Sequence, residues 1–162
     1  MIVQIKEMNE TLAKEILNWQ YDPPYDFYNN DCTDENIIEL LNDQFKAIVD
    51  EHNQIVGFFC VGESAKVPAG YKFGVYDADL IDIGLGMNPN LVGKGFGFEF
   101  CTSIIYFIKN QFGESPIRLT VATFNKRAIH LYEKLGFFYE NRFNSGFTEF
   151  ITMINKSAEE KE

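Results

Sequence analysis

Gly93, Gly95 and Gly97 are three glycines in five residues, with Lys94 between the first two, and they offer the plainest chemistry in the chain. Glycine lets a backbone turn where other residues cannot and lets its amides approach a ligand closely. The stretch Met87-Asn88-Pro89-Asn90-Leu91-Val92-Gly93-Lys94-Gly95-Phe96-Gly97 joins an apolar, strand-like segment to a long helical one. Amides converging at a helix start, together with the positive end of the helix dipole, favour an anion such as phosphate. The NTPase P-loop needs Ser or Thr after Gly-Lys, and here Gly95 follows. The dinucleotide fingerprint needs GxGxxG with an acidic residue ~20 positions on, and that also fails. A turn that merely uses glycine remains the plainer alternative.

The segment before the loop alternates. Ile81, Ile83, Leu85 and Met87 are apolar, while Asp82, Gly84 and Gly86 occupy the other parity. In a strand this places one apolar face against a core and leaves the other nearly bare. Two glycines on one face fit close approach by a ligand or another backbone, or a bulge. Asp82 shares that face and is the first candidate for a general base, with Glu63 and Asp79 behind it.

A second group of candidate residues lies at 121–137. Asn125 is placed to cap a helix on which Ala128, Leu131, Tyr132 and Leu135 share one face, and Gly136 ends it. Tyr132 thus carries a hydroxyl on an otherwise core-facing stripe, where a packing tyrosine is the ordinary reading.

The elements that must position these residues follow from periodicity and breakers, in the order βααβββαβαββ, an α+β chain. Strands are expected near Ile2–Ile5, at 45–50 and 55–61 around a His52-Asn53 turn, at 80–87, at 117–123, and at 137–142 and 147–154 around Asn144-Ser145-Gly146. Helices are expected after Asn9, from Asp34, from Lys94 to Phe112 and from Asn125 to Leu135. The third should bury Phe98, Cys101, Ile104, Ile105, Ile108 and Phe112. Residues 1–155 form one unit in this reading, and 156–162 a charged tail.

Composition bounds the function. The 162 residues are 46% hydrophobic, enough for one core, and carry 14 basic against 24 acidic side chains, a net charge of -10. That balance disfavours a nucleic-acid surface and suits a cationic or amine-bearing partner, or simply solubility. Cys32, Cys60 and Cys101 are odd in number and widely spaced, which predicts neither a disulfide framework nor a zinc site. No signal-like start or membrane-length apolar run is present, so a cytoplasmic protein without membrane contact is expected. His52 and His130 lack neighbours at ligand spacing, so no metal is expected.

Together the two motifs resemble those of the GCN5-related N-acetyltransferase (GNAT) superfamily, over about residues 1–155. Gly93-Lys94-Gly95-Phe96-Gly97 is similar to the family's pyrophosphate loop, Q/R-x-x-G-x-G/A, with Val92 where Gln or Arg is usual and Phe98 where small residues are common. Asn125-xx-Ala128-xx-Leu131-Tyr132-xxx-Gly136-Phe137 matches its second motif throughout. The resemblance implies a mostly antiparallel sheet splayed at the fourth strand, about four flanking helices, and acyl-CoA in the gap between the strands at 80–87 and 117–123. It implies acetyl-CoA as acyl donor to a primary amine, attacked directly in a ternary complex, in a monomer or homodimer. The cofactor would be held by the backbone of Leu85, Gly86 and Met87, by the loop Val92, Gly93, Lys94, Gly95, Phe96, Gly97 and Phe98, and by Asn125 and Ala128. Tyr132 would protonate the departing thiolate. The amine would be read by Trp19, Tyr21, Tyr25 and Tyr28, with Asp22, Pro24 and Phe27 beside them and a gate at 64–76. A non-catalytic acyl-CoA-binding or sensing domain is the alternative.

Overall fold

The computed structural model describes residues 2–155, so the expected tail at 156–162 lies outside the described residues. Seven strands form one mixed sheet in the order β1-β2-β3-β4-β5-β7-β6. They are β1 (Val3–Glu7), β2 (Phe45–Asp50), β3 (Ile55–Val61), β4 (Ile81–Met87), β5 (Ile117–Ala122), β6 (Phe138–Ser145) and β7 (Thr148–Asn155). Four α-helices accompany them: α1 (Glu10–Leu17), α2 (Asp34–Leu40), α3 (Gly97–Phe112) and α4 (Lys126–Lys134). The element order is the one expected from the sequence, with short 3-10 turns added in the connections.

The chain groups into two compact units, each discontinuous in sequence. The first is Met1–Cys60 with Leu85–Ser103; the second is Val61–Gly84 with the chain from Ile104 onward.

In the first unit β1, β2 and β3 pair antiparallel, with a register shift at Ile48/Val49. The β2–β3 turn is set by Asp50, whose carboxylate accepts from the amides of His52 and Gln54 at 2.9 Å each, and by Asn53, which takes φ +63. Asn tolerates that left-handed conformation better than most residues. Helix α1 starts where the Asn9 side chain accepts from the Leu12 amide at 2.9 Å, and Ala13, Ile16 and Leu17 form its buried stripe. Thr33 caps α2 in the same way, through the Asn36 amide at 3.1 Å. Trp19 is part of this core: its ring lies 6.1 Å from that of Phe58, which in turn lies 6.2 Å from Phe45.

Two glycines leave room for neighbouring groups. A Cβ on Gly86 would fall 2.4 Å from the Phe58 ring, and one on Gly57 would fall 2.4 Å from Phe100 and 2.5 Å from the Gly86 carbonyl oxygen. The bare face that β4 shows in the sequence is therefore filled, at Gly86, by an aromatic ring from β3.

Helix α3 begins at Gly97, three residues later than expected, because Gly93 and Gly95 take positive φ and cannot continue a helix. The shift changes its buried face. Phe100, Cys101, Ile104 and Ile108 are buried, whereas Phe98 and Phe112 are about half exposed. Burial pushes the Cys101 thiol up to about 12, which keeps it protonated, and none of the three cysteines is in a disulfide.

In the second unit β4 and β5 run parallel over Ile81↔Ile117, Asp82↔Arg118 and Ile83↔Leu119. Strand β7 pairs antiparallel with β5 through Ala122↔Phe150 and with β6 through Ser145↔Thr148, leaving Gly146 and Phe147 as the turn. Asp82, the first candidate for a general base in the sequence, lies on β4 in this unit. It is buried, and both carboxylate oxygens accept from the opposed Arg118, Nε to Oδ1 at 2.7 Å and Nη2 to Oδ2 at 2.8 Å. Strand parity was right about its face but not about its surroundings, because parallel register sets a guanidinium beside it. Nη1 of Arg118 donates to the Val75 carbonyl at 3.2 Å, and the guanidinium lies 5.1 Å from the Tyr76 ring centre.

Removing one partner of such a pair strands a buried charge, at a cost of about 3–5 kcal/mol. Arg118→Met should therefore lower unfolding stability in urea by that order. A loss under about 1 kcal/mol would show that the pair carries little of the fold.

Candidate active site

In the first unit, three features meet around the end of β4. The loop after it is tied to β3: Asn88 donates its amide to the Val56 carbonyl at 2.8 Å and its side-chain nitrogen to the Ile55 carbonyl at 3.0 Å. A single 3-10 turn, Pro89–Leu91, follows, with Asn88 Oδ1 accepting from the Asn90 amide at 3.0 Å. Gly93 and Gly95 then adopt φ +77 and +86, which L side chains rarely adopt. A Cβ on Gly95 would meet nothing within 4 Å, so the loop faces open space there.

The first helical bond of α3 runs from the Phe100 amide to the Phe96 carbonyl at 3.0 Å, which leaves the Gly97 and Phe98 amides ahead of the intrahelical ladder. With Lys94 exposed beside them, the segment Val92–Phe98 has the chemistry of an anion cradle. Val92, where the family favours a polar side chain, is extended and caps the preceding turn through its backbone.

Tyr21 stands against the same strand end. Its hydroxyl donates to the Met87 carbonyl at 2.7 Å, and its amide donates to Asn29 Oδ1 at 2.8 Å. Tyr28 lies edge-on to it at 6.5 Å, and Phe27 edge-on to Tyr28 at 5.2 Å. Pro23-Pro24 is cis, and Tyr25–Tyr28 form a 3-10 turn. Of the four side chains expected to read an amine, Trp19 is in the core and Tyr21 braces β4, while Tyr25 and Tyr28 are half-buried.

In the second unit, Asn125 caps α4 by accepting from the Ala128 amide at 3.1 Å, and Asn125 also donates its own amide to the Ala122 carbonyl at 3.0 Å. Tyr132 is buried on α4, its ring 6.0 Å from Phe137. Ala128, Leu131 and Leu135 are half-buried on the same face, as spaced in the sequence, and His130 is exposed.

The other acids considered as bases are placed differently. Glu63 accepts from the Tyr71 hydroxyl and from Lys66 Nζ at 2.9 Å, and these bonds hold its carboxyl below the usual range. The sequence reading did not single out Arg118 or Lys66, which organise the acids of this unit. Arg118 is the lone cation in the β-branched run Ile117–Thr123, and that was the available signal. Among the described residues, no group of three or more His, Cys, Asp or Glu is placed to hold a metal ion.

The model of the acetyltransferase (GNAT) family matches residues 13–137. The chain belongs to this family. Among solved structures, a chimera of the spermidine N-acetyltransferase SpeG from Vibrio cholerae and hSSAT has a TM-score of 0.70 at 17% identity, covering 98% of each chain. A GNAT-family acetyltransferase from Bacillus anthracis has a TM-score of 0.62 at 14% identity, covering 95% of this chain and 94% of its own. At these identities the likeness is one of fold. No curated protein matches. No helix among the described residues is long and apolar enough to cross a membrane.

The Tyr21 phenol gives a direct test of the brace. Burial pushes it up to about 12. A phenol that ionises later in the folded chain than at its ordinary pKa of ~10 binds more protons folded than unfolded. Its contribution to stability is thus full below pH ~10 and declines as pH rises toward 12. Absorbance titration near 295 nm should show a late-titrating tyrosine that Tyr21→Phe removes, together with part of the alkaline loss of stability. Unchanged late titration in Tyr21→Phe would dissolve the assignment.

Proposed function

We propose that this GNAT-family protein transfers the acetyl group of acetyl-CoA to a primary amine by direct attack. The observation that carries the reading is the cradle at 92–98: two positive-φ glycines, open space over Gly95, an exposed lysine and the start of a 16-residue helix. A pyrophosphate is the anion that this arrangement suits, and backbone amides would bear most of the contact, so Val92 in place of a polar residue weakens it only in part. Leu85, Gly86 and Met87 would present backbone groups to the pantetheine arm as a strand does, and their amides would steady the thioester oxygen as charge builds in attack.

Asn125 and Ala128 at the start of α4 are further proposed contacts to the cofactor. Tyr132 is proposed as the acid that protonates the departing thiolate, a task suited to a hydroxyl with ordinary pKa near 10. The attacking nitrogen forms the new amide bond, the C–S bond breaks, and the amine's proton is lost. With Asp82 engaged by Arg118 and Glu63 held by Tyr71 and Lys66, that proton is assigned to water. The amine class fits the surplus of acidic side chains and the spermidine acetyltransferase among the structural neighbours.

Two substitutions separate binding from chemistry. Gly95→Val puts a branched side chain into the open space and strains a backbone at φ +86, so it should abolish acetyl-CoA binding in calorimetry while circular dichroism stays native. Retained affinity in a folded variant would remove the loop from the site. Tyr132→Phe should keep acetyl-CoA affinity and lower kcat by ~10²-fold or more, the scale of a lost general acid. Equal turnover would return Tyr132 to a packing role, and absence of turnover with every amine tried would favour a binding domain.

A further inference from the structure

A separate group of side chains in the second unit surrounds an ammonium. The group lies along the connection from β3 to β4, which is built of two 3-10 turns, Glu63–Ala65 and Pro68–Phe73. Lys66 sits between the turns. Its Nζ is 2.9 Å from Glu63 Oε1, 4.0 Å from Asp82 Oδ2, and 5.7 Å from the ring centres of both Tyr71 and Tyr76. One carboxylate in contact, a second charge behind it and two aromatic rings within ~6 Å are what a desolvated ammonium requires.

The walls of this cage are each held by bonds that do not involve the lysine. Asp82 is gripped by the Arg118 fork, at 2.7 and 2.8 Å. The Tyr76 hydroxyl accepts from the Val67 amide at 2.9 Å and shares a hydrogen bond with the Thr120 hydroxyl at 2.8 Å. Tyr71 donates to the free oxygen of Glu63 and lies edge-on to Tyr76 at 5.4 Å. Each wall thus has a bonding partner other than the occupant, and the occupant is a primary ammonium on a flexible four-carbon stem.

We propose that the Glu63–Tyr71–Tyr76–Asp82 cage is a binding site for a primary alkylammonium, with Lys66 as a displaceable internal occupant. An external amine enters when the lysine swings out to solvent, so the free protein holds the site closed against weak competitors and yields it to amines at sufficient concentration. The fit is to the NH₃⁺ end of an alkyl chain. A quaternary ammonium has no N–H for Glu63, and a neutral alcohol gains nothing from the two carboxylates. Lys66 itself is held fully charged, its ammonium raised above its ordinary range first by the Glu63 bond, against the opposing effect of burial. This proposal stands apart from the acetyl-transfer reading, and its test needs no acetyl-CoA.

Calorimetry with n-butylammonium chloride, a mimic of the lysine side-chain end, should show binding to Lys66→Ala at least 10-fold tighter than to wild type. Adding Glu63→Gln to Lys66→Ala should remove that gain, and 1-butanol should bind neither protein. Equal affinity of wild type and Lys66→Ala, survival of the gain in the double variant, or equal binding of 1-butanol would each overturn the proposal. Should Lys66→Ala fail to fold, the wild type decides the matter through the NMR signal of the Lys66 ammonium during titration with 1,4-diaminobutane. A saturable shift supports displacement, and a signal that stays in place overturns it.

Discussion

The buried ion pair of Arg118 and Asp82 is the constraint on which the second unit depends. A guanidinium removed from water must keep its charge and spend its donors, and here it spends them in three directions: on a carboxylate of the neighbouring strand, on the Val75 carbonyl, and beside the Tyr76 ring. Burial works against the Arg118 charge, but the Asp82 bonds and field outweigh it and leave the guanidinium raised. The consequence is geometric. The first three rungs of the β4–β5 pairing and the segment that carries Val75 and Tyr76 are fixed to one group, and the aromatic cluster of Val75, Tyr76, Ala122, Phe143 and Phe150 packs around that segment. Tyr76 then passes the constraint to Thr120 and Val67 by hydrogen bonds, and so to the connection that carries Glu63, Lys66 and Tyr71.

The fold was legible in the sequence where a local rule has few competitors. Asn9 and Asn125 each cap the helix that follows them, and the Asn53 turn and the glycine stop of α4 sit where their residue types place them. The start of α3 was misplaced because Lys94 and Phe96 are compatible with a helix, while the positive φ of Gly93 and Gly95 is a property of the backbone that composition does not reveal. With the start displaced, the buried stripe moved from Phe98 to Phe100.

Site residues divide along the same line. Motif residues at 92–98 and 125–137 lie in the loops and helix where their spacing put them. Residues selected by face or composition have surroundings that the sequence did not display: Asp82 and Trp19 are buried in tertiary contacts, and Gly86 makes room for Phe58. A strand's period of two says which side chains share a face, but not what the neighbouring strand sets opposite them. Arg118, read only as one residue of a β-branched strand, explains Asp82, and nothing closer than the strand pairing could have joined the two.

The hydrogen bond from Tyr21 to the Met87 carbonyl has a consequence for anyone who would alter this protein. It joins the aromatic segment that ends at Asn29 to the last residue of β4 by a short contact. Under the proposed function, changes at Tyr25 or Tyr28 made to widen the range of amines would also bear on the strand end proposed for the acyl donor. Libraries built on this segment should therefore be scored against both substrates of that proposal.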